Sequence, residues 1–336
     1  MLNTNQNNFC TLFSKNYILQ GVTLLKSIEA THHNSVIWVF TLDAESKKAI
    51  EFLDLDNVRC LAVSQEELLL NKFTNFQKTR TFSESVFSMK PFFMSEVLHE
   101  IQEGEWLIYL DADTFAFDTI NTSNLLENHC VLLSPHYFSD ETAHNIDAGY
   151  YNAGAVGFKN CLEGRKACAF WANLCQISCT LNKENGFYAD QKYLEDIDRI
   201  WKDQICEMIF GINVGGWSLS KRTKVRETDT NVQINEVNLC LFHFHGYKPS
   251  LTFSVSGISR YGKLRSQKSM KRFVYSIYRN ALAESLELFS QSPFDGKVIS
   301  LPLFPKMSGF TGLLNMLIRK DLMLSKFNAS LIWKFR

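Results

Sequence analysis

The chain has 336 residues, with 35 Lys and Arg balanced by 35 Asp and Glu and 46% hydrophobic residues, ample for one large α/β domain and an appendage. No apolar run reaches about 18 residues, so no transmembrane helix is expected. Met1 to Asn8 is polar with no apolar core behind it, so no secretory leader is expected and the predicted location is cytoplasmic.

Phe9 to Phe13 reads as a first strand. Tyr17, Leu24, Leu25 and Ile28 then recur at helical spacing, with Asn16 as the expected N-cap. Val36 to Leu42 is a second strand, closed by Asp43, which can cap a helix through Leu53. Val58 to Val63 is a third strand, and Ser64 to Glu67 has the form of a capping box for a short helix. This alternation predicts a parallel, doubly wound sheet. Neither the dinucleotide fingerprint nor the P-loop occurs. Asn71 to Ser85 is polar and reads as a loop, and the next helix is expected from Met89 to Ile101, with Pro91 in its first turn.

Leu107 to Leu110 is a continuous apolar run, the mark of a strand buried on both faces. It runs straight into Asp111 and Asp113. Two carboxylates in one small site at the end of such a strand repel each other, and a divalent cation resolves the conflict. Oxygen ligands suit magnesium or manganese, ions that carry phosphates. An Asp-x-Asp at a strand end also serves as a turn or an N-cap, so the motif needs support from elsewhere in the chain.

Cys130 to Leu133 is a further strand, followed by a loop to Ala148 that carries His136 and His144. Gly149, Gly154 and Gly157 punctuate an apolar strand that also contains Asn152 and Ala153, which suggests close approach by a ligand or backbone, or a bulge. Leu162 to Cys179 reads as an amphipathic helix. Cys161, Cys168 and Cys175 share a face with Trp171 and form a core stripe. The nine cysteines contain no Cys-x-x-Cys pair, which argues against zinc or redox motifs and fits reduced thiols. Another helix opens near Phe187, placing Asp190 and Gln191 by its N-terminus. Asn238 to Pro249 is a strand running into a turn. Its His243 and His245 share one face, and Lys248 follows.

Residues 1–249 hold 21 Lys/Arg and 31 Asp/Glu, whereas residues 250–336 hold 14 and 4. Ile258 to Phe289 reads as helical and carries Arg260, Lys263, Arg265, Lys268, Lys271 and Arg272. A second basic stretch, Gly309 to Phe327, includes Arg319, Lys320 and Lys326. Such segments predict contact with an anionic membrane surface or exist simply as solvated faces. No nucleic-acid motif occurs, and the aromatics are not interleaved with the basic residues, so no nucleic-acid partner is expected.

The order Thr11-Leu12…Tyr17, Asp111-Ala112-Asp113, Asn152-Ala153-Gly154, Asp190-Gln191 and His243-Phe244-x-Gly246…Lys248-Pro249 resembles the GT-A glycosyltransferases. Within these it is most similar to family 8, the group of glycogenin and the bacterial lipopolysaccharide galactosyltransferases. The resemblance covers about residues 8 to 250. It implies a Rossmann-like α/β fold with a central mixed sheet. A GT-A domain over 1–250 would be followed by a basic helical extension over 251–336.

The resemblance also implies metal-dependent transfer, with retention, from a nucleotide-diphosphate sugar with uridine as the expected base. The acceptor would be a saccharide or lipid-linked molecule in surface-polysaccharide synthesis, reached by a peripheral contact with the inner face of the membrane. Thr11, Leu12 and Tyr17 would contact the nucleotide, Tyr17 by stacking. Asp111, Asp113 and His243 would ligate manganese or magnesium, with His245 as a substitute and Ala112 beside the nucleotide. Lys248 would hold the diphosphate. Lys90, Asn152, Ala153, Gly154 and Gly246 would line the sugar and acceptor, and Asp190 or Gln191 would face the reacting carbon. The segment after His243 is one residue shorter than the family pattern, and Ser250 stands where Trp is common.

Two other readings accommodate the Asp-x-Asp. A haloacid-dehalogenase-like phosphatase would use Asp111 and Asp113 in an Asp-x-Asp-x-Thr motif, but three predicted strands precede it and no later acidic pair follows. A non-catalytic sugar-nucleotide binder would share the fold and the ligands.

Overall fold

The computed structural model describes residues 8–121, 125, 127–182, 188–261, 268–290, 299, 301–305 and 322–327. Strand β1 (Asn8–Phe13) leads through a short turn into helix α1 (Ile18–Thr31), then β2 (Val36–Thr41), α2 (Ala44–Leu53) and β3 (Val58–Arg59). Asp43 caps α2 as expected, its carboxylate accepting from the Ser46 amide at 2.8 Å. Asn16 does not cap α1, because residues 15–17 form a 3-10 turn that begins after Ser14. The third strand is shorter than the sequence suggests, since Val63 already belongs to α3 (Val63–Gln77).

The expected loop over 71–85 is mostly helix. Leu69, Phe73 and Phe76 recur at helical spacing within α3 and bury on the side of the following helix, where Phe73 meets Phe82 and Phe76 meets Phe92, while polar residues between them mask the pattern. Helix α4 (Phe82–Glu100) starts well before Met89, because Thr81 and Glu84 close a capping box. Pro91 therefore lies inside the helix rather than at its start, where its ring removes one backbone hydrogen bond.

The chain continues as β4 (Trp106–Leu110), β5 (Thr114–Ala116), β6 (Val131–Pro135), β7 (Tyr151–Lys159), α5 (Leu162–Ile177), α6 (Leu194–Ile200), β8 (Ile205–Glu207) and β9 (Val214–Gly215). A small meander of β10 (Val225–Glu227), β11 (Val232–Ile234) and β12 (Val237–Asn238) precedes β13 (Leu241–His243) and β14 (Phe253–Val255). Helix α7 (Ser276–Ser290) and β15 (Leu322–Leu324) follow. Of the basic stretches in the tail, Lys263, Arg265, Arg319 and Lys320 lie outside the described residues.

The main sheet has seven strands in the order β3-β2-β1-β4-β7-β6-β8. Its first four strands are parallel, but β7 is inserted antiparallel between β4 and β6, so the sheet is mixed rather than wholly parallel. Both faces are covered, which is why β4 reads as an unbroken apolar run. Alternate residues of each strand serve opposite faces. Phe9, Val39, Ile108 and Leu110 pack toward α1 and α7, whereas Cys10, Leu107, Tyr109 and Val156 pack toward α4 and α5. Cys168, Cys175 and Trp171 form the expected core stripe of α5, and Cys161 caps that helix through a hydrogen bond accepted from the Gly164 amide.

A second sheet, β5-β13-β9, sits beyond the end of β4. Helix α7 seals it. Tyr278 is fully buried, stacked on Phe244 with centroids 3.7 Å apart and edge-on to Phe115. Thr23 of α1 donates to Ser285 of α7 at 2.9 Å, so residues beyond 250 share the core of the opening strands. Among the described residues the buried Tyr278 hydroxyl has no hydrogen-bond partner. Truncating Tyr278 to alanine should cost about 3–5 kcal/mol of unfolding free energy. Tyr278→Phe should be neutral or slightly stabilising, because it removes only an unpartnered polar group. Urea denaturation midpoints of both variants check this.

Candidate metal centre

The centre forms where β4 stops. Leu110 is the last buried residue of the strand, and the Asp111 amide donates to the Gly154 carbonyl at 2.9 Å. The chain then turns on Thr114, whose amide and hydroxyl both donate to the Asp111 carbonyl. Beyond the turn β5 pairs antiparallel with β13, placing Thr114 opposite His243, and the Phe244 amide donates to the Asp113 carbonyl. This pairing brings one ligand atom each of Asp111, Asp113 and His243 within 4.8 Å of one another. His243 Nε2 lies 3.0 Å from Asp113 Oδ1 and 3.8 Å from Asp111 Oδ2.

The other oxygen of Asp111 is already engaged. Lys90 Nζ lies 2.9 Å from Oδ1, and the Tyr109 hydroxyl donates to it at 2.9 Å. Only Oδ2 is turned toward His243. Lys90 is buried and also pairs with Asp190 at 3.1 Å. Burial alone would discharge Lys90, but the two carboxylates outweigh it and hold the ammonium charged. Burial likewise pushes the Asp190 carboxyl up, against the opposing pull of Lys90.

A chain of buried amides orients His243. His136 Nδ1 faces the Tyr150 carbonyl at 3.2 Å and must donate to it, so its Nε2 accepts from Asn152 Nδ2 at 3.1 Å. Asn152 Oδ1 accepts from the Gly154 amide and from Asn213 Nδ2. Asn213 Nδ2 also donates to Ser134, which leaves its oxygen to accept from His243 Nδ1 at 3.1 Å. His243 therefore carries a proton on Nδ1 and aims Nε2 at the two aspartates, the arrangement of a metal-ligating imidazole. Asn213 does this from a left-handed conformation, φ 59°, which asparagine tolerates well.

Two carboxylate oxygens and one imidazole nitrogen could hold a divalent cation. Without the cation the conflict shows as proton binding. Burial disfavours a charged His243, but the Asp113 carboxylate overrides it and raises the imidazole above its ordinary range. Burial would also raise Asp113, yet the facing His243 holds it at about 2.

The remaining expected residues are spread around this group. Ala153 offers its carbonyl to Lys90, and Gly154 is there because any side chain would collide with the His243 ring and the Asn152 amide. Asn152 sits behind the centre with both amide atoms engaged, not lining open space. Gln191 Nε2 donates to the Ala148 carbonyl at 2.7 Å. Tyr17 is 44% exposed, and its phenol is pushed up chiefly by the Asp113 charge. Leu12 is buried in the core, and Thr11 is buried with no partner for its hydroxyl among the described residues. Ala112 is buried in the linking turn. His245 does not enter the metal group, because its Nδ1 bonds to the Tyr261 hydroxyl. Lys248 is exposed, and its backbone bridges to Val255.

Asn213 and Tyr261 are absent from the sequence reading, and His136 enters it only as a loop residue. Tyr109 had a readable signal, since it shares a strand face with Asp111. Asn213 had none, because it follows a short irregular stretch without periodicity.

No family model matches the sequence. An uncharacterized Bacillus subtilis protein, YfnF, is 26% identical over 292 residues, covering 83% of this chain and 92% of YfnF. A second from the same organism, YfnD, is 25% identical over 243 residues, covering 71% and 77%. Among solved structures, the galactosyltransferase LgtC in complex with donor and acceptor sugar analogs superposes with a TM-score of 0.50 at 16% identity, over 82% of this chain and 95% of LgtC. The bifunctional glycosyltransferase WbbM in its apo form superposes with a TM-score of 0.51 at 12% identity, over 87% of this chain and 52% of WbbM. This is the GT-A glycosyltransferase fold. On a GT-A scaffold the haloacid-dehalogenase reading of Asp111 and Asp113 loses its structural basis.

The GT-A chain's metal affinity should respond to both the relay and the proton. A cation must displace the Nε2 proton of His243. That proton is held to a raised pH, so manganese affinity should climb as pH rises through the His243 pKa and fall on acidification. Gly154→Ala forces the ring aside and should weaken manganese at least about tenfold at every pH. Manganese electron paramagnetic resonance titrations, with circular dichroism to confirm folding, read both effects. Unchanged affinity in the variant would show that the ring has room to move.

Proposed function

We propose that this protein is a metal-dependent glycosyltransferase that moves a sugar from a nucleoside-diphosphate donor, with uridine as the base, to a saccharide or lipid-linked acceptor. The observation that carries the reading is the oriented Asp111–Asp113–His243 group at the end of β4 on a GT-A fold. A cation bound there supplies charge stabilisation as the sugar–phosphate bond breaks.

The chain's own residues divide the remaining work. Tyr17 presents an exposed ring for the base, and the unpartnered Thr11 hydroxyl supplies a buried polar contact within β1. Lys90 fixes Asp111 and Asp190 relative to each other, so the metal side and the sugar side of the site move as one. That ion pair ties Asp190 down and makes it a positioning residue. Gln191 is anchored through its amide nitrogen, which turns its carboxamide oxygen away from Ala148. We assign that oxygen to the face of the reacting carbon, where it stabilises positive charge during transfer with retention.

A thermal-shift panel of UDP, GDP, CMP and ADP with manganese tests the reading. A ligand at 100 times its dissociation constant stabilises by about 2.7 kcal/mol, or about 4 °C for a chain of this size. The expected result is a manganese-dependent shift with UDP that is lost in Asp113→Ala, followed by turnover of a UDP-sugar. No shift with any nucleotide would overturn it, and binding without turnover across donors and acceptors would favour a non-catalytic sugar-nucleotide binder.

Contact of the basic tail with an anionic membrane belongs to the same proposal. Among the described residues no helix is long and apolar enough to cross a membrane, so the contact would be peripheral. Co-sedimentation with anionic liposomes at low salt should occur and should weaken as salt is raised. Failure to sediment at low salt would sink it.

A further inference from the structure

The metal centre carries a charge problem that its own residues leave unsolved. Asp111 and Asp190 share a single buried ammonium, Lys90, while Asp113 faces His243, so three carboxylates are answered by one fixed positive charge. With His243 neutral the group has two surplus negative charges, which a divalent cation cancels. A nucleoside diphosphate then arrives at a neutral centre and departs with added negative charge. A further cationic side chain is needed at the mouth. Sequence reading assigns this role to Lys248, but that residue is exposed on the turn beyond Gly246, and its ammonium makes no hydrogen bond or ion pair among the described residues.

A different cation is built against the centre. The backbone around Gly257 lies directly on the turn that carries His243. A side chain on Gly257 would collide with the His245 and Gly246 carbonyls, and its φ of 77° is itself a left-handed conformation. The chain leaves this contact as a 3-10 turn, Ile258–Tyr261, with the Arg260 amide donating to the Gly257 carbonyl at 3.0 Å. The Arg260 side chain then runs across Gly246. A side chain at Gly246 would fall within 3.0 Å of Arg260 Cδ, and φ at Gly246 is also 77°. Tyr261 locks the turn from the other side through its hydrogen bond to His245 and an edge-on contact with Trp217, itself edge-on to His243.

Arg260 is exposed and makes no ion pair among the described residues. Its charge is nonetheless felt at Tyr17 and Tyr261, the same phenols that Asp113 pushes up. An unpaired guanidinium is thus held on a preformed turn that packs against the turn following His243. Guanidinium geometry matches phosphate oxygens two at a time.

We infer that Arg260, presented across Gly246 by the Gly257 contact, is the side chain that binds the diphosphate of the nucleotide donor. The inference rests on the function proposed above. It extends the site past residue 250 and gives the tail a part in donor binding.

Calorimetric titration of the full-length protein, loaded with manganese, with UDP and UMP tests it. In Arg260→Ala, UDP affinity should fall at least about tenfold, and UMP affinity should fall less. Arg260→Lys should recover part of the loss, and Lys248→Ala should cost less than Arg260→Ala. Manganese alone should bind Arg260→Ala at least as tightly as wild type, since a neighbouring positive charge is removed. Unchanged UDP affinity in Arg260→Ala, equal losses for UDP and UMP, or a larger loss in Lys248→Ala would each overturn the inference while leaving the proposed function standing. Wild-type protein that binds neither UDP nor GDP would overturn both.

Discussion

Asp113 and His243 are 130 positions apart in sequence, and one antiparallel pairing joins them. Because β5 folds back onto β13, the turn after β4 cannot relax outward, and its two carboxylates stay fixed against an imidazole. Like charges held this close are unstable unless something answers them. Lys90 answers on one side of Asp111, and His243 faces the other. The surrounding structure serves this arrangement: α7 seals the small sheet, Gly154 admits the ring, and Asn213 sets its tautomer.

The relay from His136 to His243 has a further property. Each amide in it is committed at both ends, so no member can flip without leaving a buried donor or acceptor unmatched. Satisfied buried networks of this kind specify one geometry. The orientation of His243 is therefore a property of β6, β7 and the segment before β9 together, three regions outside the Asp111–Asp113–His243 group itself.

Much of this was legible in the chain, and the exceptions have physical causes. Strands β1, β2 and β4 announced themselves because they are buried on both faces, and burial leaves an apolar run. Asp111, Asp113 and His243 were legible because their motifs fall in the order of the GT-A pattern, whereas an Asp-x-Asp at a strand end alone is equally a turn or an N-cap. Helix α4 was misplaced because Pro91 reads as a start signal, whereas the true start is the Thr81–Glu84 capping box inside a polar stretch. The antiparallel insertion of β7 leaves no local mark, since strand direction depends on the connection and not on the residues. Asn213 carried no signal, and Arg260 read only as one of a run of basic residues, for a related reason. Each sits in irregular backbone, and its role comes from what the tertiary fold lays against it.

The bond between Thr23 and Ser285 spans 262 positions, and it ties the first helix to one of the last described elements. Such contacts give the molecule a high contact order. During synthesis β1, β2 and β4 emerge early, with one apolar face waiting for α7, and the small sheet cannot close until β13 has been made. The nascent chain must carry that uncovered surface through most of translation, a period in which association with other chains competes with folding. The Asp111–Asp113–His243 group therefore cannot assemble before β13 is made, and α7, which seals the small sheet, is made later still.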